Sequence, residues 1–356
     1  MSPHRLSRLR ETIRNEKLDA FIVSSLPNVR YISGFTGSSG LCVVRESDAF
    51  FLTDSRYTLQ SKLEVKSLKR IIAKHDLYEQ ISESNLLDSC CRVGFESHAV
   101  TYAQYRRLRR STSGSSFVPT KDVVEAIAVV KEKDEIGYIR DAALISGRVF
   151  DDLLGSIKPG VAELDIAAEI SYLHRKYGGE RDAFEPIVAS GVRGALPHAR
   201  ASSKRIKNGE FVTLDFGCTV RGYNSDITRT VAVGKISARA RRIYDVVLTA
   251  QRDAIEAVKP GMWAKDLDSV ARNRIKGEGY GRFFNHSLGH GLGLQVHECP
   301  RISSMSKERL VAGSVITIEP GVYIPEFGGV RIEDDILITV QGCTVLTESP
   351  RDLIFT

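Results

Sequence analysis

One duplicated pattern limits what the second part of this chain can become. A helix runs into Lys158-Pro159-Gly160, a second helix follows in ELDIAAEISYLHRKYG, and the copy ends on the apolar strand GEFVTLDFG (209–217). The same order returns as a helix ending at Val258, then Lys259-Pro260-Gly261, then AKDLDSVARNRIKGEG, then GSVITIEPG (313–321). Two copies of one supersecondary unit imply a domain with an internal pseudo-twofold axis. The match aligns Asp215 with Glu319, each late in its strand, and leaves Asp226 and Glu333 a short loop and part of a strand further on. A centre that gathers both sets is dense in negative charge and needs cations.

Strand alternation assigns the faces. In FVTLDFG the apolar Val212, Leu214 and Phe216 alternate with Thr213 and Asp215, and in SDITRT Asp226 shares a face with Thr228 and Thr230. An antiparallel hairpin turning at Arg221-Gly222 is expected to set the two aspartates facing each other across it. In the second copy Val315, Thr317 and Glu319 share one face, and Arg331, Glu333 and Asp335 share another. Any one of these acids alone fits a turn or a surface; four at repeat-related positions favour ligands.

A nitrogen donor is expected from NHSLGHGLGLQVHE (285–298). Its glycines disfavour a helix, and in an extended strand the even spacing puts His286 and His290 on the same face. Three of the chain's eight histidines fall in this run, which argues for use over accident. One imidazole with four carboxylates suits Mn²⁺, Co²⁺, Fe²⁺ or Zn²⁺ better than a thiolate-held structural zinc. Two such ions close together can share a water, lower its pKa and polarise a carbonyl, which is the chemistry of hydrolysis.

The 356 residues exceed what one core usually serves, so two domains are expected. A helix over about residues 4–16, then LDAFIVSS, then two strands in LCVVRESDAFFLTDSRY, suggest a small α/β domain first. The run GFTGSSG (34–40) lacks the Gly-Lys-Ser/Thr ending of a phosphate loop and is expected to be a structural turn. The Ser/Thr/Gly stretch STSGSSFVPT (111–120) and the helix in KEKDEIGYIRDAALISGRVFDDLL place the boundary near residues 120–132, giving domains 1–125 and 126–356. No apolar run approaches the ~20 residues of a membrane span, and the N-terminus has no signal-like apolar segment. The six cysteines form neither a CxxC pair nor a regular framework, as expected of reduced thiols in a cytoplasmic protein. The net charge of +6 includes clusters at Arg106–Arg110 and Arg239–Arg242, but no aromatic-interleaved or zinc-finger pattern accompanies them. They are expected to be solvated helix faces, with no nucleic-acid partner.

The stretches ALPHA (195–199), LDFG…YNSDITRT (214–230), HSLGHGLGLQVHE (286–298), IEPGVYIP (318–325) and GGVRIEDDI (328–336), in this order, resemble the metal-dependent pita-bread peptidases, in particular the Xaa-Pro branch of prolidase and aminopeptidase P. The similarity spans nearly the whole chain. It implies an α+β fold in which a pseudo-twofold pita-bread catalytic domain follows a smaller α/β domain of creatinase type. It further implies two divalent ions per chain, manganese first, with cobalt, zinc or iron as alternatives. Asp215 would chelate one ion, His290 and Glu319 the other, and Asp226 and Glu333 both; Glu319 would double as general base. The resemblance assigns His198 and His297 to the scissile peptide and its tetrahedral intermediate, and His286 to the proline pocket. Arg331, grouped with His286 and Tyr323 on the substrate side, would also steady the metal site from behind. The implied substrate is a proline-containing peptide, either a dipeptide or the start of a longer chain. The implied assembly is a homodimer whose smaller domain helps wall the partner's site. Creatinase-type enzymes on this fold lack the complete metal set. Methionine aminopeptidases usually lack a domain like residues 1–125, and non-enzymatic binding relatives typically lose ligands that are all present here.

Overall fold

The computed structural model describes residues 3–112 and 114–356, the side chains of Pro3 and Ser111 excepted. Ser113, in the Ser/Thr/Gly stretch expected at the domain boundary, lies outside the described residues, as do Met1 and Ser2. The chain divides into two compact units, Met1–Ala128 and Val129–Thr356.

In the first unit a helix over Pro3–Asn15 precedes a six-stranded mixed sheet. Its strands are β1 (Ala20–Val23), β2 (Leu41–Arg45), β3 (Ala49–Asp54), β4 (Lys69–Ala73), β5 (Arg92–Glu96) and β6 (Ser116–Thr120), in the order β4-β3-β2-β1-β5-β6. β1, β2 and β3 pair antiparallel, while β4, β5 and β6 join parallel. β1 reads AFIV and is buried throughout, as a strand covered on both faces must be. A helix over Leu26–Ser33, which the alternation pattern does not mark, ends at Gly34. Gly34 has φ 79° and returns its N–H to Arg30 O, the left-handed cap that glycine adopts most easily. The run from Gly34 to Gly40 is therefore a helix stop and loop.

The second unit carries the duplication into space. Helices Lys133–Leu153 and Glu163–Lys176 accompany the antiparallel strands Ile187–Ser190, Phe211–Phe216 and Ile227–Ala232. Helices Ala238–Ala257 and Ala264–Gly277 accompany Gly289–Gly291, Val315–Ile318 and Asp334–Ile338, again antiparallel. The repeat extends to single bonds. Gly160 donates its N–H to Ile206 O at 2.9 Å and Gly261 to Leu310 O at 2.7 Å. Arg205 donates to Gly160 O and Arg309 to Gly261 O, each at 2.6 Å. Both glycines have positive φ, 91° and 82°, which a Cβ would penalise.

Each strand pair presents an oily and a polar face, and both are buried. Val212, Leu214, Phe216, Ile227 and Val231 pack with Phe150, Ile166 and Ile170 of the helices. Thr213, Asp215, Thr228 and Thr230 alternate with them and are equally enclosed. Arg229, 1% exposed, ties the halves together. It donates to Asp334 Oδ1 at 2.7 Å, to Thr228 O at 2.9 Å and to Glu333 O. It also donates to Ser349 O at 2.8 Å and Pro350 O at 2.7 Å. Replacing Arg229 with Met is expected to lower stability by about 3–5 kcal/mol, because four carbonyls and Asp334 Oδ1 lose a donor, with Arg351 and Gln251 left on Asp334 Oδ2 alone. Urea unfolding measures this; a loss below about 1 kcal/mol, the range of an exposed pair, would contradict it.

Candidate active site

The first acids are set by a hairpin. Arg221 (φ 50°) and Gly222 (φ 82°) form a two-residue turn between Val220 and Tyr223, the left-handed pair that matches strand twist. Asp215 then stands opposite Thr228, so Asp226 is its diagonal neighbour on the same face. The sequence-based expectation of two directly facing aspartates is corrected to this offset. Gly217 lies beside Asp226, where an added Cβ would come within 1.8 Å of Ser225 O, so the bend accepts no side chain.

Thr228 joins the second copy to the first. Glu333 donates its N–H to Thr228 O at 3.1 Å, and the Thr228 hydroxyl donates to Glu333 Oε2 at 2.6 Å. Asp226 N–H donates to Asp335 Oδ2 at 3.0 Å. Sequence reasoning put Thr228 and Asp335 on these faces but gave them no task. It also missed Thr317, whose hydroxyl accepts the His290 N–H at 3.3 Å.

His290 enters on the short strand Gly289–Gly291, where a Cβ on Gly289 would lie 1.9 Å from Thr317 O. Its Nδ1 is 3.0 Å from Gly291 O; a carbonyl can only accept, so Nδ1 carries the proton and Nε2 keeps its lone pair. Nε2 is 3.6 Å from Glu319 Oε1 and 3.7 Å from Asp226 Oδ2. The donor atoms of Asp226, His290 and Glu333 lie within 4.8 Å of one another. Of the extended strand expected over 285–298, Gly289–Gly291 and the first residue of Glu298–Ile302 are strand and residues 285–288 are not, so His286 does not share a strand face with His290. His286 Nδ1 contacts Ser287 O at 2.8 Å, and its Nε2 is 3.0 Å from the Tyr323 hydroxyl.

Arg331 backs Asp215. It donates to Asp215 Oδ2, to Thr228 Oγ1 at 3.0 Å, to the Tyr323 hydroxyl at 2.8 Å and to Pro197 O at 3.2 Å. Arg331 and Tyr323 are both buried, and these bonds turn them toward Asp215 and His286. His297 is exposed and packs edge-on against His290, ring centroids 4.4 Å apart. His198, also exposed, follows the turn Gly191–Ala195 and acts electrostatically on His286 and His297.

The charge balance explains the titration. Burial first, then the charges of Glu333 and Asp215, holds the Asp226 carboxyl well above the usual range. Burial and Glu333 do the same to Glu319, with Arg331 opposing. Glu333 is pushed up to about 8 by burial and Asp215. Burial lowers His290 to about 4, so its imidazole is neutral near pH 7. Asp215 Oδ1, Asp226 Oδ1 and Asp335 Oδ1 are buried and without hydrogen-bond partners. Crowded carboxylates with spare oxygens beside a free imidazole nitrogen fit divalent ions.

Residues 137–340 match the family model described as Metallopeptidase family M24, and residues 5–130 that of the Creatinase/Prolidase N-terminal domain. The chain belongs to metallopeptidase family M24. The resemblance read from the motifs, and the creatinase-type and pita-bread fold it implies, are borne out. A Pyrococcus horikoshii protein named Xaa-Pro dipeptidase is 39% identical over 98% of this M24 chain and 98% of its own. The solved structure of an Xaa-Pro dipeptidase from Bacillus anthracis superposes with a TM-score of 0.97 at 37% identity, covering 99% of each chain. That of an X-Pro aminopeptidase from Thermotoga maritima MSB8 gives 0.90 at 38%, over 96% of this chain and 100% of that one. As an M24 peptidase the protein is an enzyme that works with divalent metal ions. Among the described residues no helix is long and apolar enough to cross a membrane.

Chelation leaves this charge uncompensated. Because Glu333 titrates at about 8 when folded against an ordinary 4.5, its contribution to stability is complete below 4.5 and is lost as pH rises through about 8. The melting temperature of chelated protein is expected to fall between about pH 5 and about pH 8.5. Bound divalent ions should flatten that fall, and a melting temperature that rises over the range in chelated protein would contradict the assignment.

Proposed function

We propose that this M24 peptidase hydrolyses the peptide bond preceding proline, using two divalent ions with manganese as the physiological choice. The observation that carries the metal reading is the convergence of Asp226, His290 and Glu333 beside buried acids that have unpartnered oxygens. The substrate class is supported by relatives named for Xaa-Pro cleavage at 37–39% identity across nearly the full chain.

In this reading Asp215 would hold one ion, His290 and Glu319 the other, and Asp226 and Glu333 both. When bound, the ions supply Lewis acidity toward the attacking water and the scissile carbonyl. Glu319, held beside that water, would take its proton as general base. His290 stays neutral because it is buried, and the bond from its Nδ1–H to Gly291 O fixes the tautomer that leaves Nε2 free. His198 and His297, on the open side, donate to the carbonyl oxygen as charge develops there. His286 lines the proline pocket with Tyr323 beside it, and Arg331 holds Asp215. Residues 1–125 form the smaller domain and 126–356 the catalytic one. A homodimer completes the site, and six cysteines that form no disulfide suit a cytoplasmic setting.

Turnover of an Ala-Pro dipeptide and an Ala-Pro-Ala tripeptide, after chelation and again after Mn²⁺ is restored, tests the reading and shows which length is preferred. Activity is expected to vanish on chelation and to return with metal. Asp226→Ala should lose bound metal and about 10³-fold or more in kcat while its circular dichroism is retained. His198→Ala should keep its metal and lose about 10²-fold in kcat. Full turnover in Asp226→Ala, or loss of metal in His198→Ala, would overturn the corresponding role.

A further inference from the structure

The loop that carries His286 is gripped from outside the metal site by an ion pair on a neighbouring helix. Asp268 and Arg272 stand one turn apart on the helix Ala264–Gly277. Arg272 Nε donates to Asp268 Oδ2 at 2.7 Å and Nη2 to Oδ1 at 2.8 Å, a two-pronged pair whose carboxylate is fully buried. The remaining guanidinium protons reach the loop: Nη1 donates to Phe284 O at 2.9 Å and Nη2 to His286 O at 2.8 Å. Asp268 Oδ1 also accepts the Leu288 N–H at 3.1 Å.

The stacking extends the grip. The Arg272 guanidinium lies over the Phe284 ring, 4.3 Å from its centroid. Phe284 meets the His286 ring edge-on at 5.1 Å. His286 Nδ1–H donates to Ser287 O, so Nε2 accepts from the Tyr323 hydroxyl, which in turn accepts from Arg331. Leu288 O is held separately by the Glu319 N–H at 2.8 Å. The loop is therefore fixed at its far end by Glu319, whereas the carbonyls of Phe284 and His286 are held by Arg272. A lysine at 272 could keep the charge but not the planar fork that serves a carboxylate and two carbonyls at once.

We propose that Arg272 and Asp268 form a positioning pair that sets the wall of the substrate pocket through His286 and Phe284, and so determines substrate affinity without touching substrate or metal. The inference rests on the peptidase reading above for the identity of the pocket. Substrate binding should suffer because the wall is displaced, while the bond from Glu319 N–H to Leu288 O and the anchors of the other metal ligands do not run through the Arg272 guanidinium.

The test compares the metal-loaded wild type with Arg272→Lys. KM for Ala-Pro is expected to rise about tenfold or more with kcat within about threefold, since uniform binding is lost and the chemical step is not. Metal content should be unchanged. Hydrogen exchange of the peptide covering 284–289 should speed up about tenfold or more, with no matching change elsewhere. If the lysine variant fails to fold, Asp268→Asn reads the same quantities. A fall in kcat at constant KM, loss of metal, or unchanged exchange in 284–289 would overturn the proposal. Should the wild type cleave no Xaa-Pro peptide, the peptidase reading fails, and the exchange comparison alone decides whether the pair holds the loop.

Discussion

The carboxyls of Asp215 and Asp335 lie on strands, and those of Asp226, Glu319 and Glu333 at strand ends, where the opposite strand faces are already packed on helices. Among the described residues Arg331 is the cation that bonds directly to one of them. Like charges about 4 Å apart repel by about 4 kcal/mol at the effective dielectric of a protein site, so this group cannot ionise fully by itself. Either the acids keep protons well above their ordinary range, or cations take the protons' place. The fold is arranged for the second outcome. The imidazole of His290 is neutral and aims a lone pair inward, and three acids leave an oxygen without a partner.

The duplication explains how so unfavourable a centre is assembled. Each copy supplies an acid-bearing strand whose alternate residues feed a hydrophobic core, and burial of those apolar side chains provides the driving force that the acids oppose. Single polar residues then join the copies: Thr228 bonds Glu333 through both backbone and hydroxyl, and Arg229 bonds Asp334 and the carbonyl of Glu333. The strain of gathering negative charge is thus set against two buried networks and two apolar cores.

The strands and helices of both copies were legible because their cues are local. Period-two alternation in FVTLDFG and VITIEPG gives the buried acid faces, and Arg221-Gly222 announces the turn. The diagonal offset of Asp215 and Asp226 was implicit in that turn: two residues at Arg221-Gly222 set Val220 opposite Tyr223 and, without a register shift, Asp215 opposite Thr228, so a directly facing pair misreads the count by two positions. The direction of His286 escaped for another reason: the glycine-rich run folds as loop around a three-residue strand, so even spacing carried no facing information. Thr228 and Arg272 act across 105 and 14 residues of sequence respectively, and nothing in their immediate neighbours marks a bond to Glu333 or to the His286 carbonyl. The assignment of Asp215, Asp226, His290, Glu319 and Glu333 as a ligand set came from motif resemblance, which the spacing of the residues alone would have left open.

We propose that these five side chains hold a pair of cations. Anomalous diffraction from crystals grown with Mn²⁺ tests it most directly. The account predicts two adjacent peaks, one bounded by Asp215 and the other by His290 and Glu319, with Asp226 and Glu333 touching both. A single peak, or peaks seated away from these residues, would contradict it.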